Sequence, residues 1–213
     1  MTAPVRVEFV YLASQSPRRA QLLTQLGVRH ELLLADSSED AEALEAVKPN
    51  EAPAAYVKRV TSLKLDAAVA RMVRRGLQNA PVLCSDTTVA LGREIYGKPS
   101  STADAQRMLT ALSGQTHRVL TAVAVQAVGI GIEGAFSARH AACCVSQVQF
   151  ETMTPAQIRA YVETGEPMGK AGAYAVQGRA AVHITRISGS YSGIMGLPLY
   201  ETAQLLRAAG LSV

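Results

Sequence analysis

Two patterns of apolar and polar positions follow one another along the chain. Short continuous apolar runs bounded by Gly, Pro or polar residues predict buried strands, and apolar residues at helical spacing predict amphipathic helices. The first pattern predicts strands at Val7–Leu12, His30–Ala35, Pro81–Leu91, Val119–Val128, Ala135–Phe150 and Ala180–Ile187. The second pattern predicts helices after Ser16 up to Gly27, and at Ala54–Val73, Thr102–Leu112, Pro155–Thr164 and Pro198–Ala209.

Helices and strands alternate in the first half of the chain, whereas two long strands dominate the middle, joined across the glycine-rich segment GIGIEG. Alternation is typical of parallel strands with helical crossovers, and two long successive strands favour antiparallel pairing. The pattern therefore predicts an α/β fold with a mixed, twisted sheet flanked by helices. At 213 residues the chain is long enough for a sizeable core, and we expect one domain with two lobes around a cleft.

The stretch Leu12–Gly27, LASQSPRRAQLLTQLG, predicts a strand, a tight turn and a helix that begins at Pro17 with Ser16 as its N-cap. A helix N-terminus presents free backbone N–H groups and a positive dipole end, which favour an anion. Hydroxyl and guanidinium groups gather at the same point, and a phosphate is the expected guest. A capped helix with a solvated arginine pair is the alternative. The side chains concerned are Ser14, Ser16, Arg18 and Arg19.

Composition narrows the class of protein. With 48% hydrophobic and 18% charged residues, the chain resembles a soluble globular enzyme, and its net charge of +4 suits a polyanionic small ligand. We expect a cytoplasmic protein, because no secretory signal or membrane-spanning run is recognised and three cysteines make neither a disulfide framework nor a zinc site. No nucleic-acid-binding motif occurs, and Arg71, Arg74 and Arg75 are expected at a solvated helix end.

An acidic residue interrupts the apolar strand VLCSDTTVAL. Asp86 lies among residues that otherwise predict a buried strand, and a buried carboxylate must be paired, bound to a metal or functional. An aspartate that caps a turn at the end of the strand is the alternative.

Two later segments also carry polar groups on constrained backbone. Lys98 lies between Gly97 and Pro99 on a short rigid turn, which suits a fixed phosphate contact. In TGEPMGKAGAYAVQG, glycines let the backbone approach a ligand closely while Glu166, Lys170 and Gln177 supply polar groups. His117 could act as a general base, but a structural role is commoner for such a histidine.

Five segments, in this order, resemble the signatures of the Maf family of nucleoside triphosphate pyrophosphatases. They are SQSPRR, SDTTV, GKP followed by LSGQTHRVLT, TGEPMGKAGAYAVQG, and GSYSGIMGLP, and the resemblance extends from about Val10 to Leu206. It implies an elongated, two-lobed Maf/ITPase-like α/β fold with a central cleft and a homodimer. The chain departs from the family pattern at Ser85, where alanine is usual, and at Gly169, where aspartate is usual.

The resemblance also implies roles for individual residues. Asp86 matches the proposed catalytic base, which could instead hold a divalent cation, Mg²⁺ above all, with Mn²⁺ and Co²⁺ as alternatives. Glu39, favoured over its neighbour Asp40, matches a further metal-binding position. The residues expected to bind the triphosphate are Ser14, Ser16, Arg18, Arg19, Lys64, Lys98 and Lys170.

The implied reaction releases pyrophosphate and leaves a nucleoside monophosphate. Arg19, Thr87 and Gln177 match positions linked to specificity in the family's dTTP/UTP subgroup, whose substrates could include modified pyrimidine nucleotides. A second subgroup has glutamate in place of Gln177 and prefers 7-methyl-GTP, and it is one alternative. The other is a nucleotide-binding regulator of septum formation with weak hydrolysis, which the change at Gly169 favours.

Overall fold

The computed structural model describes residues 8–36, 39, 43–128 and 136–213. The start of the first predicted strand, Asp40 and the GIGIEG segment lie outside the described residues. The strands are β1 (Val10–Leu12), β2 (His30–Leu32), β3 (Val82–Leu91), β4 (Glu94–Tyr96), β5 (Thr116–Val128), β6 (Phe136–Phe150) and β7 (Ile184–Ser188). The helices are α1 (Pro17–Gln25), α2 (Pro53–Arg74), α3 (Thr102–Leu112), α4 (Pro155–Glu163), α5 (Tyr191–Met195) and α6 (Leu199–Ala208).

All of these strands belong to one mixed sheet in the order β2-β1-β3-β5-β6-β7, with β4 paired to β3. β1 runs parallel to β2 and to β3, whereas β3, β5, β6 and β7 pair antiparallel in succession. The prediction of an α/β fold with a mixed sheet is confirmed.

Local signals place the ends of the helices. Thr154 caps α4 in a full capping box with Gln157, and Gly27 follows α1 with a φ of 72° that favours glycine. Ser16 occupies the N-cap position of α1 as predicted, but its side chain makes no capping hydrogen bond. The Ser14 hydroxyl instead accepts a hydrogen bond from the Ser16 backbone N–H at 3.1 Å.

The expected strand at Ala180–Ile187 is wrong in its first half. Residues Arg179–His183 form a 3₁₀ helix, and only Ile184–Ser188 pair with β6. Val182 is 77% exposed, so its apolar side chain does not mark a buried strand. The short elements β4 and α5 lack a predicted counterpart because three and five residues are too few to display a period.

The buried apolar residues of β3 pack into different clusters at its two ends. Leu83 packs in a cluster with residues of α1 and α6, such as Leu23 and Leu206. Val89, near the other end, packs with residues of α3 and α4, such as Leu109. Asp86 lies between these two positions on β3, at a cleft that Ser85, Thr87 and Val89 of the same strand also line. No helix in the described part of the chain is long and apolar enough to cross a membrane.

Candidate active site

The cleft beside the middle of β3 has a volume of about 710 Å³. Every residue to which the family resemblance assigns catalysis, phosphate binding, specificity or metal binding lines it, with Glu39 at the position for which it was favoured over Asp40. These are Ser14, Ser16, Arg18, Arg19, Glu39, Lys64, Asp86, Thr87, Lys98, Lys170 and Gln177. They come from β3, α2 and four separate loops or helix starts, so that folding brings together residues far apart in sequence.

Asp86 lies in the middle of β3, opposite Ala122 of β5, and is only 8% exposed. The alternative of an aspartate that caps the end of a strand is therefore wrong. Its Oδ1 accepts a hydrogen bond from Lys64 Nζ of α2 at 2.5 Å. This ion pair supplies the partner that a buried carboxylate requires.

The ammonium of Lys64 also donates to a second carboxylate, Glu45 Oε1, at 2.7 Å. Both carboxylate oxygens of Glu45 also accept hydrogen bonds from Lys98 Nζ, each at 3.0 Å. Burial lowers the pKa of Lys64, but the carboxylates of Asp86 and Glu45 outweigh it and the net pKa is raised. Burial likewise raises the pKa of Glu45, yet the two lysines outweigh it and hold the pKa below its usual value. Two carboxylates therefore meet at one ammonium group.

The sequence does not distinguish Glu45, which is one of five acidic residues in the segment Asp36–Glu45. The residue ends a short 3₁₀ helix, Ala43–Glu45, directly before the approach to α2. Five acidic residues within ten consecutive positions are alike in type and spacing, and only the fold shows which one pairs with Lys64 and Lys98.

Glu39 lies at another part of the cleft wall and is held by arginines. Its two carboxylate oxygens accept hydrogen bonds from Arg71 at 2.7 and 2.6 Å, and Arg74 donates to Oε1 at 2.8 Å. These hydrogen bonds, that of Arg71 first, lower the pKa of Glu39 to about 2. Asp86 and Glu45 thus share Lys64 as a partner, whereas Glu39 pairs with arginines.

The solvated helix end expected at Arg71, Arg74 and Arg75 is wrong for Arg71. Its side chain is buried, with 5% of the residue exposed, and its Nη1 donates to the Leu33 carbonyl at 2.7 Å. Arg71 therefore ties the segment after β2 to α2, while Arg75 forms an exposed pair with Asp36.

Arg19 crosses the cleft from α1 to meet three oxygen acceptors. Its Nε donates to the Gly196 carbonyl at 2.8 Å, Nη1 to Ser14 Oγ at 3.1 Å and Nη2 to Thr87 Oγ1 at 3.4 Å. Thr87 Oγ1 also lies 3.0 Å from the hydroxyl of Thr121 on β5. Arg19 is thus oriented by neutral groups, and within the described ranges no carboxylate pairs with it.

Arg18 lies next to Arg19 and has a single hydrogen-bond acceptor among the described residues, the Met195 carbonyl at 3.4 Å. Burial lowers the pKa of Arg18, and the charge of Arg19 lowers it further. The backbone carbonyls that accept hydrogen bonds from the two arginines, those of Met195 and Gly196, lie at the end of α5, an element that the sequence did not predict.

Lys170 begins the loop that carries Gln177. Its Nζ donates to the Glu166 carbonyl at 2.5 Å. The backbone N–H of Gly172 donates to the Gly97 carbonyl at 3.0 Å, which joins this loop to the turn that holds Lys98. A Cβ on Gly172 would lie 2.8 Å from a methyl carbon of Val89, so that the loop can approach β3 only because residue 172 is glycine.

Glu166 has a structural position. Its carboxylate accepts hydrogen bonds from the Tyr161 hydroxyl at 2.8 Å and from the Arg179 backbone N–H at 3.0 Å. It therefore braces both sides of the loop. Gln177, by contrast, is exposed at the cleft and can meet a ligand.

His117 is 1% exposed and is enclosed by aromatic rings. Its Nε2 lies 2.8 Å from the Tyr174 hydroxyl, and its ring meets that of Phe150 edge to face at 5.0 Å. Burial lowers its pKa to about 4. These contacts support the structural role over that of a general base.

Comparisons with known proteins match nearly the whole chain. The family model for Maf-like protein matches residues 9–209. The dTTP/UTP pyrophosphatase of Albidiferax ferrireducens is 67% identical over 206 residues, which cover 97% of this chain and 99% of that protein. Proteins of the same name from Polaromonas sp. and Cupriavidus pinatubonensis are 66% and 62% identical over 97% and 96% of this chain, and over 98% of their own lengths.

Proposed function

The chain belongs to the Maf family, and on this premise we propose that it hydrolyses dTTP and UTP to the monophosphate and pyrophosphate. The observation that carries the proposal is a cleft in which two carboxylates converge on the ammonium of Lys64. In the described part of the chain, Arg18 and Arg19 of the same cleft donate to neutral oxygens. The relatives with 58–67% identity share the name dTTP/UTP pyrophosphatase, and such identity over nearly the whole chain supports the same activity here.

A divalent cation fits the carboxylate side of the cleft. Asp86 and Glu45 both place an oxygen within 2.7 Å of one ammonium nitrogen, so the pair already surrounds a positive charge. Carboxylate oxygens are the ligands that Mg²⁺ prefers, and phosphate oxygens and water commonly complete its shell. No group of three or more His, Cys, Asp or Glu side chains converges among the residues described, which suits a cation shared with the substrate. When bound, the ion would offset phosphate charge and polarise the phosphorus.

The protein's own residues then have distinct tasks. Asp86 would orient the attacking water and accept its proton, or hold the cation, and both roles use the oxygens that face Lys64. Lys64 and Lys98 would bind phosphate oxygens at the reacting end. Arg18, Arg19 and Lys170 would stabilise the negative charge that develops as pyrophosphate leaves, since fixed cations act most strongly in a site of low water content.

Gln177 is the proposed contact for the base. Its amide offers one acceptor and two donors, which match the carbonyl and N–H edge that thymine and uracil share. The neighbouring Thr87 hydroxyl holds Arg19, so that Thr87 would act on specificity through the arginine as well as by direct contact.

The decisive experiment measures pyrophosphate release from dTTP, UTP, CTP and 7-methyl-GTP with Mg²⁺. The wild type should prefer dTTP and UTP, and Asp86→Asn should lower kcat by about 100-fold or more, as expected when a general base or a metal ligand loses its charge. Asp66→Asn is the matched control, because Asp66 of α2 pairs with Arg139 of β6 outside the cleft. Preference for 7-methyl-GTP would refute the assignment of the base. Tight binding without turnover would instead favour a regulator.

Two further proposals concern assembly and location. The resemblance to the family implies a homodimer, and the sequence features set out above led us to expect a location in the cytoplasm. Sedimentation of the purified chain at micromolar concentration tests the first, and fractionation of cells tests the second.

A further inference from the structure

A row of hydrogen bonds leads from the cleft to the backbone of α5. Arg19 Nη2 lies 3.4 Å from Thr87 Oγ1, which lies 3.0 Å from the hydroxyl oxygen of Thr121. Thr121 Oγ1 in turn lies 2.7 Å from the Gly193 carbonyl oxygen. Thr87 and Thr121 are directly opposite each other on β3 and β5, so that their side chains share one face of the sheet. Thr121 is only 1% exposed and does not line the cleft.

The direction of every hydrogen bond in this row is fixed, because each hydroxyl group has a single proton. The Gly193 carbonyl can only accept, so the proton of Thr121 points to it. Thr121 Oγ1 can therefore only accept from Thr87, whose own proton is then used as well. Arg19 can only donate, and its hydrogen bond uses one of the two lone pairs of Thr87. Thr87 is thus left with one lone pair and no proton for a ligand in the cleft.

A group of fixed hydrogen-bonding direction can discriminate between pyrimidine bases. Thymine and uracil have an N–H between two carbonyls, whereas cytosine has a ring nitrogen without a proton, an acceptor, at the same position. Gln177 alone does not separate these bases, because its amide can turn and present either a donor or an acceptor. Thr87 is an acceptor beside the donors of Arg19, which matches an N–H next to a carbonyl. The unprotonated nitrogen of cytosine would find no donor at Thr87 and would stay unpaired, which costs binding energy.

We propose that Thr121 is a positioning residue for base specificity. By accepting the proton of Thr87, it makes the hydroxyl of Thr87 an obligate acceptor, which selects thymine and uracil over cytosine. The inference rests on the proposed function for its choice of ligand, and it adds a residue that lies outside the cleft. Without the Thr121 hydroxyl, the proton of Thr87 is free to point to the ligand, and Thr87 can then pair with either kind of ring nitrogen.

The test measures the binding of dUMP and dCMP, which differ only at the edge of the base, by titration calorimetry without Mg²⁺. The wild type should bind dUMP more tightly. Thr121→Val keeps the shape of the side chain but has no hydroxyl, so the ratio of dUMP affinity to dCMP affinity should fall roughly fivefold as dCMP gains a donor. Thr121→Ser keeps the hydroxyl and should keep the ratio.

Thr88→Val is the matched control. Thr88 is buried on the same strand as Thr87, and its Oγ1 has no hydrogen-bond partner in the part of the chain that the structure describes. The same substitution there removes a hydroxyl from the sheet without affecting Thr87, and it should leave the affinity ratio unchanged.

An unchanged ratio in Thr121→Val would overturn the proposal even if both affinities fall, because a purely structural role weakens the binding of both ligands alike. An equal fall of the ratio in Thr121→Ser or in Thr88→Val would also overturn it. So would a wild type that hydrolyses dTTP but binds dUMP and dCMP equally.

Thr87→Val gives an independent measurement if Thr121→Val folds poorly. It removes the acceptor itself, so it should weaken dUMP binding and leave dCMP binding nearly unchanged. An equal or greater loss for dCMP would show that Thr87 can donate its proton to the ligand, which would overturn the proposal. Because no turnover is needed, a protein whose affinity ratio responds as predicted but that releases no pyrophosphate from dTTP would refute the proposed function and leave the role of Thr121 standing.

Discussion

Acidification should destabilise the protein through His117, and the variant His117→Gln should remove this contribution. Glutamine does not titrate in this range, and its amide can still reach the Tyr174 hydroxyl that His117 meets at 2.8 Å. The folded state holds the imidazole neutral, because burial lowers its pKa from 6.5 to about 4. The unfolded chain therefore takes up a proton first as the pH falls, which favours unfolding.

The size of the effect follows from the two pKa values. The difference between 6.5 and about 4 corresponds to about 3 kcal/mol once both states are protonated. This stability is fully present above pH 6.5 and is lost progressively down to pH 4. Between pH 7 and pH 5 the expected loss is about 2 kcal/mol.

Urea unfolding at pH 7 and pH 5, followed by circular dichroism because the chain has no tryptophan, measures the change. Glu39 and Glu45, whose pKa values are lowered, also lose stabilising charge on acidification, but they do so in both proteins. The quantity to compare is therefore the difference between pH 7 and pH 5 in each protein. If wild type and His117→Gln lose the same free energy of unfolding, the imidazole is not held neutral by burial.

Two further predictions concern the cleft. Glu45→Gln should raise the Mg²⁺ concentration needed for half-maximal activity by roughly tenfold or more. Glu39→Gln should instead lower the free energy of unfolding by about 1–3 kcal/mol, because Arg71 loses its charged partner. If Glu39→Gln raises the Mg²⁺ concentration needed for half-maximal activity, Glu39 is a metal ligand. Gln177→Glu should lower kcat/KM for dTTP and UTP by about tenfold or more, since a carboxylate cannot donate to the carbonyl of the base. If the ratio of kcat/KM for dTTP to kcat/KM for 7-methyl-GTP is the same in the variant and the wild type, Gln177 does not contact the base.

Much of the fold could be predicted because its elements carry local signals. α3 has the predicted bounds, and α2 and β3 differ from the prediction by a residue or so at their ends. Pro and Thr at helix starts and Gly after helix ends act through the backbone of a few neighbouring residues, so the sequence alone displays them. The start of the predicted strand Ala180–Ile187 lies in the 3₁₀ helix Arg179–His183. The sequence cannot predict this difference, because an apolar residue type does not show whether the side chain faces solvent.

The sequence by itself determined which residues gather at the cleft, since separated motifs carry nine of them and all eleven predicted side chains, Glu39 and Lys64 included, line one cavity. Only the tertiary structure decided how their charges combine. Glu45 rather than Glu39 meets the lysine that Asp86 holds, and Arg18 and Lys170 donate to backbone carbonyls. Ion pairs depend on distances of a few ångströms between segments far apart in the chain, and electrostatic energy falls steeply with distance and solvent exposure. Residue type and spacing along the sequence do not predict those distances.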